Sequence, residues 1–325
     1  MPDPHSQRPA RPATPPQPPA HDTAQHVLHP PADDTASRTA VPADTSWKQD
    51  RGPLDTSVPC EPRVYDYFLN GADNYRVDRL LAERLLKVAP WLRALAWVNR
   101  LHGLATVNYL ARGGITQFLD LGCGLPRTHH EGGNTHEAAE QVASGVYTVY
   151  VDRDRSAYGH TRVLLEDRRQ AVVREDITDV AALFAASAVR AFDYNRPIAV
   201  LLHDVLAWID DVGAAQLLSG LQAWLPAGSV ISLTHAVIDT HPDVMARLTE
   251  IYHEDDIAFR PRSRDTIARL LGPWPLLKPG LVPTSQWHSP NPHAALDPSL
   301  TTSCAAVAIH PSPAPRLPDD PAHPV

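Results

Sequence analysis

The sequence predicts an α/β fold built on a mostly parallel sheet, and three observations carry that prediction. From Gln117 onward, short runs of β-branched and apolar residues alternate with helix-patterned segments, as in strands joined by crossover helices. The first strand runs straight into Leu121-Gly122-Cys123-Gly124, a glycine turn at its carboxyl end. The second, Tyr147-Thr-Val-Tyr-Val, ends in an acidic residue, Asp152.

Taken in order, residues 1–58 are rich in proline, alanine, histidine, aspartate and threonine, with almost no bulky apolar side chains. Such a stretch cannot bury enough surface to offset its chain entropy, so it is expected to be disordered. Residues 311–325 repeat that composition and are expected to form a second loose tail. Residues 59–114 are expected to form an N-terminal helical cap. Within it, Arg63-Val-Tyr-Asp-Tyr-Phe-Leu-Asn-Gly-Ala-Asp-Asn-Tyr75 interleaves aromatic and polar side chains. A helix follows, with Val77, Leu80, Leu81, Leu85 and Val88 at helical spacing and Pro90 as its stop. Another runs over 91–110 and ends at Gly113-Gly114. The main domain is expected over 115–310. Its strands are predicted at 118–121, 147–151, 171–173, 198–202 and 230–234, with 276–281 and 305–309 as a weaker antiparallel edge.

Ligands of open α/β sheets bind outside the carboxyl ends of the strands, so those ends hold the candidate site. Gly122 and Gly124, lacking a Cβ, let the chain turn sharply and let a ligand lie against the backbone. A Rossmann-like sheet admits an adenosine-containing cofactor in this way. The dinucleotide fingerprint G-x-G-x-x-G is broken, because Arg127 follows Pro126 where the third small residue belongs. Asp120, just before the first glycine, repels a pyrophosphate and receives a cation. S-adenosylmethionine, with an ammonium and a sulfonium but no phosphate, meets both conditions. Asp152 has two oxygens to accept ribose hydroxyls. It lies about 30 residues beyond Gly122, past the roughly 20 of a dinucleotide-binding unit. After the third strand, Asp176 is placed to accept the adenine amino group and Ile177 to cover the ring. The fourth strand delivers His203 and Asp204. His203 is either a general base, paired with Asp204, for a hydroxyl or phenol, or a packing residue beside the cofactor. In the cap, Tyr65 is expected to cover the cofactor and Asn74 to meet its amino-acid end, which makes the segment a lid.

Several segments together carry a resemblance: residues 63–75 as quoted above, Phe118-Leu-Asp-Leu-Gly-Cys-Gly-Leu-Pro126, Asn134-Thr-His-Glu137, Val149-Tyr-Val-Asp152, and Pro279-Gly-Leu-Val-Pro283 before Gln286-Trp287. With them the chain resembles a class I S-adenosylmethionine-dependent methyltransferase. More narrowly, it is similar to the actinobacterial S-adenosyl methyltransferase family first catalogued as a domain of unknown function. The resemblance spans roughly residues 60–310. It implies a seven-stranded, Rossmann-like class I methyltransferase sheet with the N-terminal helical cap over the cleft, and Gly122, Asp152 and Asp176 in contact with the cofactor. Two departures stand out. The link Arg127-Thr-His-His-Glu-Gly-Gly133 is longer than usual, and relatives place their histidine a few residues beyond the position of His203.

Other features narrow the function. A net charge of -8 argues against non-specific binding to nucleic acid. No apolar run of about 18 residues marks a membrane helix, and the N-terminus lacks a secretory pattern. Cys60, Cys123 and Cys304 have no metal spacing, which suits reduced thiols in the cytoplasm. Asn134-Thr-His-Glu-Ala-Ala-Glu140, near His129 and His130, falls short of H-E-x-x-H because Glu140 takes the last place. A capping box on Asn134 and Glu137 explains it better, and no metal is expected. Arg260-Pro-Arg-Ser-Arg264 either holds an acidic substrate or is a solvated loop in which Ser263 caps a helix. The expected reaction is SN2 transfer of a methyl group to a small-molecule acceptor. The rival readings are a cofactor-binding protein without catalysis and an NAD-dependent oxidoreductase.

Overall fold

The computed structural model describes residues 54–128, 133–167, 169–287 and 301–312. All of them fall in one compact unit, Ala43–Val325. The described residues open with three helices, α1 (Glu61–Phe68), α2 (Arg76–Val88) and α3 (Leu92–Arg112). Strand–helix alternation follows: β1 (Gln117–Leu121), α4 (Thr135–Glu140), β2 (Tyr147–Val151), α5 (Arg155–Leu165), β3 (Gln170–Val173), α6 (Val180–Ala185), α7 (Ser187–Arg190) and β4 (Ala199–His203). The remainder comprises α8 (Asp211–Trp224), β5 (Val230–Ala236), α9 (Pro242–His253), α10 (Arg264–Leu271), β6 (Val282–Pro283) and β7 (Ser303–Ile309). The seven strands lie in the order β3-β2-β1-β4-β5-β7-β6. β1 to β5 pair in parallel, while β7 runs antiparallel to both β5 and β6.

The strands read as near-continuous apolar runs because both faces are covered. On one face Leu119, Val149, Val200 and Leu202 pack with Leu217, Leu221 and Ile267 from α8 and α10. On the other, Phe118, Leu201 and Val230 meet Val107 and Leu110 of α3 and Ala138 of α4. A third cluster joins the cap to α9 through Val64, Phe68, Leu81, Leu85, Met245 and Leu248. Among the described residues, no helix is long and apolar enough to cross a membrane.

Some expected boundaries move. The edge predicted at 276–281 is instead the two-residue β6, and only Leu276 of that segment bridges β7, at Ala308. Pro279 has no N–H to extend a ladder, and Gly280 sits at φ +92. Residues 54–58, read from composition as part of a loose tail, are tied to the cap. The buried Arg63 guanidinium donates to the carbonyls of Asp55 and Val58 and pairs with Asp78 at 2.9 Å. Asp78 also accepts from Cys60 N and Tyr75 N, so a single carboxylate joins the starts of α1 and α2. Residues 1–53 and 313–325 lie outside the described residues.

Arg262 shows that its basic cluster is neither a substrate clamp nor simply solvated, although the cap expected at Ser263 is present. Only 5% exposed, it donates to Asp211, to the carbonyls of Leu206 and Ile209, and to the His235 ring, which fastens the segment before α10 onto the sheet domain. Ser263 caps α10, its hydroxyl accepting from Thr266 N.

Candidate active site

Strand order reverses between β1 and β4, and this opens a crevice beyond their carboxyl ends. A single cleft occupies that position. The glycine turn forms its floor, β2 and β3 supply Asp152, Asp176 and Ile177, β4 supplies His203 and Asp204, and the cap adds Tyr65, Asn99 and Arg100.

The turn is built by two glycines with different duties. Gly122 has φ +68, and a Cβ on it would lie 2.3 Å from Val205 Cγ2, so packing against Val205, just beyond β4, excludes a side chain there. Gly124 has φ +65, and a Cβ on it would meet nothing within 4 Å, which leaves open space directly over the backbone. Asp152 braces this turn: its Oδ2 accepts from Gly124 N at 2.9 Å and its Oδ1 from Asp154 N at 2.8 Å. Each oxygen keeps a second lone pair for another donor. Burial lifts the Asp152 carboxyl to about 7 against those two hydrogen bonds. Asp120 accepts from Thr135 Oγ1 at 2.6 Å, and burial raises it as well. Asp176 closes a local turn through Thr178 N and Oγ1 and pairs with Arg153 at 3.3 Å.

His203 sits deeper than a base at the cleft surface would. Its Nε2 shares a 2.8 Å hydrogen bond with Ser232 Oγ, and its other face abuts α3, where a Cβ on Gly103 would lie 2.8 Å from Nδ1. Burial, then the neighbouring His102 and Arg100, push its pKa down to about 3. It is therefore neutral and a weak base. Asp204 presents the contrasting case. It has φ +59, it lines the cleft, and burial lifts its carboxyl to about 7. Cys123 is packed in the turn, its thiol pushed well above the usual value by burial.

In the cap, Tyr65 lines the cleft, but Asn74 does not. Asn74 is 7% exposed and donates to Asp66 and to the Gly71 carbonyl while accepting from Arg79. Asp66 in turn pairs with Arg127 at 3.0 Å. The polar residues that mark this segment as a lid are thus largely committed to one another. Asn134 and Glu137 do form the capping box of α4. His129 and His130 lie outside the described residues, and among the described residues no cluster of His, Cys, Asp or Glu has the makings of a metal site.

Sequence reasoning missed Asn99 and Arg100 because they lie in a helix whose pattern gives no sign of a ligand. Their side chains carry the cleft's unmet hydrogen bonds. The Arg100 guanidinium donates to Gly133 O, yet its buried Nε has no partner among the described residues. Asn99 Oδ1 has none either. Open space over Gly124, a spare donor on α3 and carboxylates at the ends of β1 and β2 fit a ligand with a ribose, a carboxylate and positive charge.

The profile of the S-adenosyl methyltransferase family matches residues 47–311. A methyltransferase candidate of known structure from Thermobifida fusca YX is 32% identical, covers 83% of this chain and 99% of its own, and superposes with a TM-score of 0.73. A DUF574 family protein from Streptomyces avermitilis MA-4680 is 28% identical over 79% of this chain and 99% of its own, with a TM-score of 0.74. No curated protein matches. With that profile matched over most of its length, the chain belongs to the S-adenosyl methyltransferase family and is an S-adenosylmethionine-dependent methyltransferase.

Proposed function

We propose that the cleft orients S-adenosylmethionine for methyl transfer to a small-molecule acceptor in the cytoplasm, with neither nucleic acid nor a membrane as partner. Asp176 and Ile177 hold the adenine end, Asp152 the ribose hydroxyls, and Gly122 and Gly124 the backbone floor. Asp120 and Arg100 hold the amino-acid end, the first facing its ammonium and the second its carboxylate. The observation that carries this reading is the buried Arg100 Nε, a donor with no partner among the described residues on the wall of a mostly acidic cleft. When bound, S-adenosylmethionine supplies a methyl group on a sulfonium, which is already a good leaving group. The chain's own residues therefore mainly align the reactants and exclude water. Alignment alone is worth about 7–11 kcal/mol of barrier. Tyr65 borders the cleft on the cap side, where the acceptor approaches.

Titration calorimetry tests the assignment. S-adenosylmethionine should bind at one site and NAD should not. Asp152→Ala should weaken binding by about 1.5–3 kcal/mol, as expected for charge-assisted hydrogen bonds. Unchanged affinity in a folded variant would remove Asp152 from the ribose site.

The raised Asp152 pKa gives this contact a pH dependence. Below about pH 7 the free protein holds the carboxyl protonated, and a neutral carboxyl is the poorer acceptor. Affinity for S-adenosylhomocysteine should thus rise as pH passes upward through 7, by up to about tenfold between about pH 6 and about pH 8. Asp152→Asn should flatten that rise. An equal slope in the variant would assign the titration to another group.

A further inference from the structure

We infer that the acceptor is a small cationic amine, seated between Asn99, Tyr65 and Trp208, with the Asp204 carboxylate taking its proton. This rests on the reading of the cleft given above and names the substrate class.

The hydrogen bonds around Tyr65 set the chemistry of the site. The Tyr65 hydroxyl donates to the Ala96 carbonyl at 3.1 Å, so its oxygen is left to accept, and Asn99 Nδ2 donates to it at 2.9 Å. That fixes the Asn99 amide: its nitrogen is spent on Tyr65, and its Oδ1 is the atom without a partner among the described residues. Asn99 is 6% exposed and lines the cleft. A buried acceptor left unmet is costly, so it calls for a ligand that brings an N–H or O–H.

Asp204 selects between those donors. No donor or cation among the described residues reaches its carboxyl, and burial is the one cause of its raised pKa. Its backbone is fixed, with the amide donating to Thr234 O and the carbonyl accepting from the Trp208 indole at 2.8 Å. At φ +59 its backbone is left-handed, a conformation that aspartate and asparagine accept and that these two bonds hold. The wall beside it is aromatic. Trp208 lines the cleft and packs against Tyr252 and Phe259, with ring centroids 5.2 and 5.0 Å away. An unpaired carboxylate beside aromatic faces attracts an ammonium. The rest of the cleft agrees: eight carboxyl groups and three guanidinium groups line it, and two of the three guanidiniums, Arg127 and Arg153, are already in ion pairs. An anionic acceptor would be repelled.

The reaction balances without another reagent. The acceptor R–NH3+ gives one proton to the Asp204 carboxylate. The freed lone pair forms the N–CH3 bond as the S–CH3 bond breaks, and that bond's electrons stay on sulfur, turning the sulfonium into a thioether. The product leaves as R–NH2+–CH3, and the Asp204 carboxyl returns its proton to water. A carboxyl lifted to about 7 is a far better base for this step than an ordinary aspartate.

The test uses the full chain and three matched probes, 2-phenylethylamine, 2-phenylethanol and 3-phenylpropionate. Each is titrated into the S-adenosylhomocysteine complex and then incubated with S-adenosylmethionine carrying a labelled methyl group. The amine should bind at least about tenfold more tightly than the alcohol, the acid should not bind, and label should enter only the amine. Asp204→Asn keeps the shape and tolerates the left-handed backbone. It should lose at least about tenfold in amine affinity and about a hundredfold in labelling, while S-adenosylhomocysteine affinity stays within about twofold. Equal binding of alcohol or acid, absence of amine binding, or undiminished labelling in the variant would overturn the proposal. So would a matching loss of S-adenosylhomocysteine affinity, which would give Asp204 to the cofactor. Amine that binds without taking label would end the proton-accepting role. Failure of the wild-type protein to bind S-adenosylhomocysteine at all would instead strike the reading of the cleft.

Discussion

Arg127→Ala is expected to lower the free energy of unfolding by about 3–5 kcal/mol, the usual consequence of removing one partner of a buried ion pair. The Arg127 and Asp66 side chains are 4% and 3% exposed, with Nη1 and Oδ1 3.0 Å apart, while Nη2 donates to Leu69 O. The arginine backbone is held too, its N–H donating to Asn134 Oδ1 and its carbonyl accepting from Asn134 Nδ2. One residue therefore joins the end of α1, through its side chain, to the start of α4, through its backbone. Alanine would leave the Asp66 carboxylate buried with only Asn74 and Asp73 as donors. Burial already pushes that carboxyl upward, so the variant should relieve itself by taking up a proton or by opening the cap. Urea denaturation checks the result. An unchanged m-value with a lower midpoint would locate the loss in stability itself. A loss below about 1 kcal/mol would mean that the pair is replaceable by water.

That ion pair also shows what the sequence does and does not disclose. The sheet was legible because its evidence is local: apolar runs for β1 to β5, glycines where the chain turns, and Asp152 and Asp176 where strands end. Arg127 was visible only as the wrong residue for a dinucleotide fingerprint. Its partner lies 61 residues away, and no periodicity links the two. Asn99 and Arg100 were hidden for a related reason. α3 buries one face in the cap and another on the sheet, so its mixed pattern gives no sign of which polar residues turn toward a cleft. The density of polar groups in residues 63–75 was a real signal with an incomplete interpretation. Tyr65 faces the cleft, whereas Arg63, Asp66, Asn74 and Asp78 satisfy one another and the backbone. Composition counts polar groups, but it does not say whether they serve a ligand or the fold.

Gly122→Val should cost about 2–5 kcal/mol of stability, and the reason differs from the one its motif suggests. A glycine beside a cofactor is ordinarily explained by the ligand's need for room. Here the Cβ would point at the protein, 2.3 Å from Val205 Cγ2 and 2.9 Å from its Cβ. The backbone at φ +68 adds a penalty that a β-branched residue feels most. Nor can the turn swing away easily, since Gly122 N and Cys123 N both donate to Val151 O. Gly124 separates the two explanations. With φ +65 and empty space where its Cβ would point, Gly124→Ala should lose only about 1–2 kcal/mol of stability while blocking S-adenosylmethionine. Gly122→Ala should lose stability first, and Val205→Ala should recover part of that loss, because the two sites share one contact. A double-mutant cycle measures the shared part, expected at about 1–3 kcal/mol. Independent, additive effects would mean that Val205 is not what holds position 122 to glycine, and the cofactor would again be the reason for it.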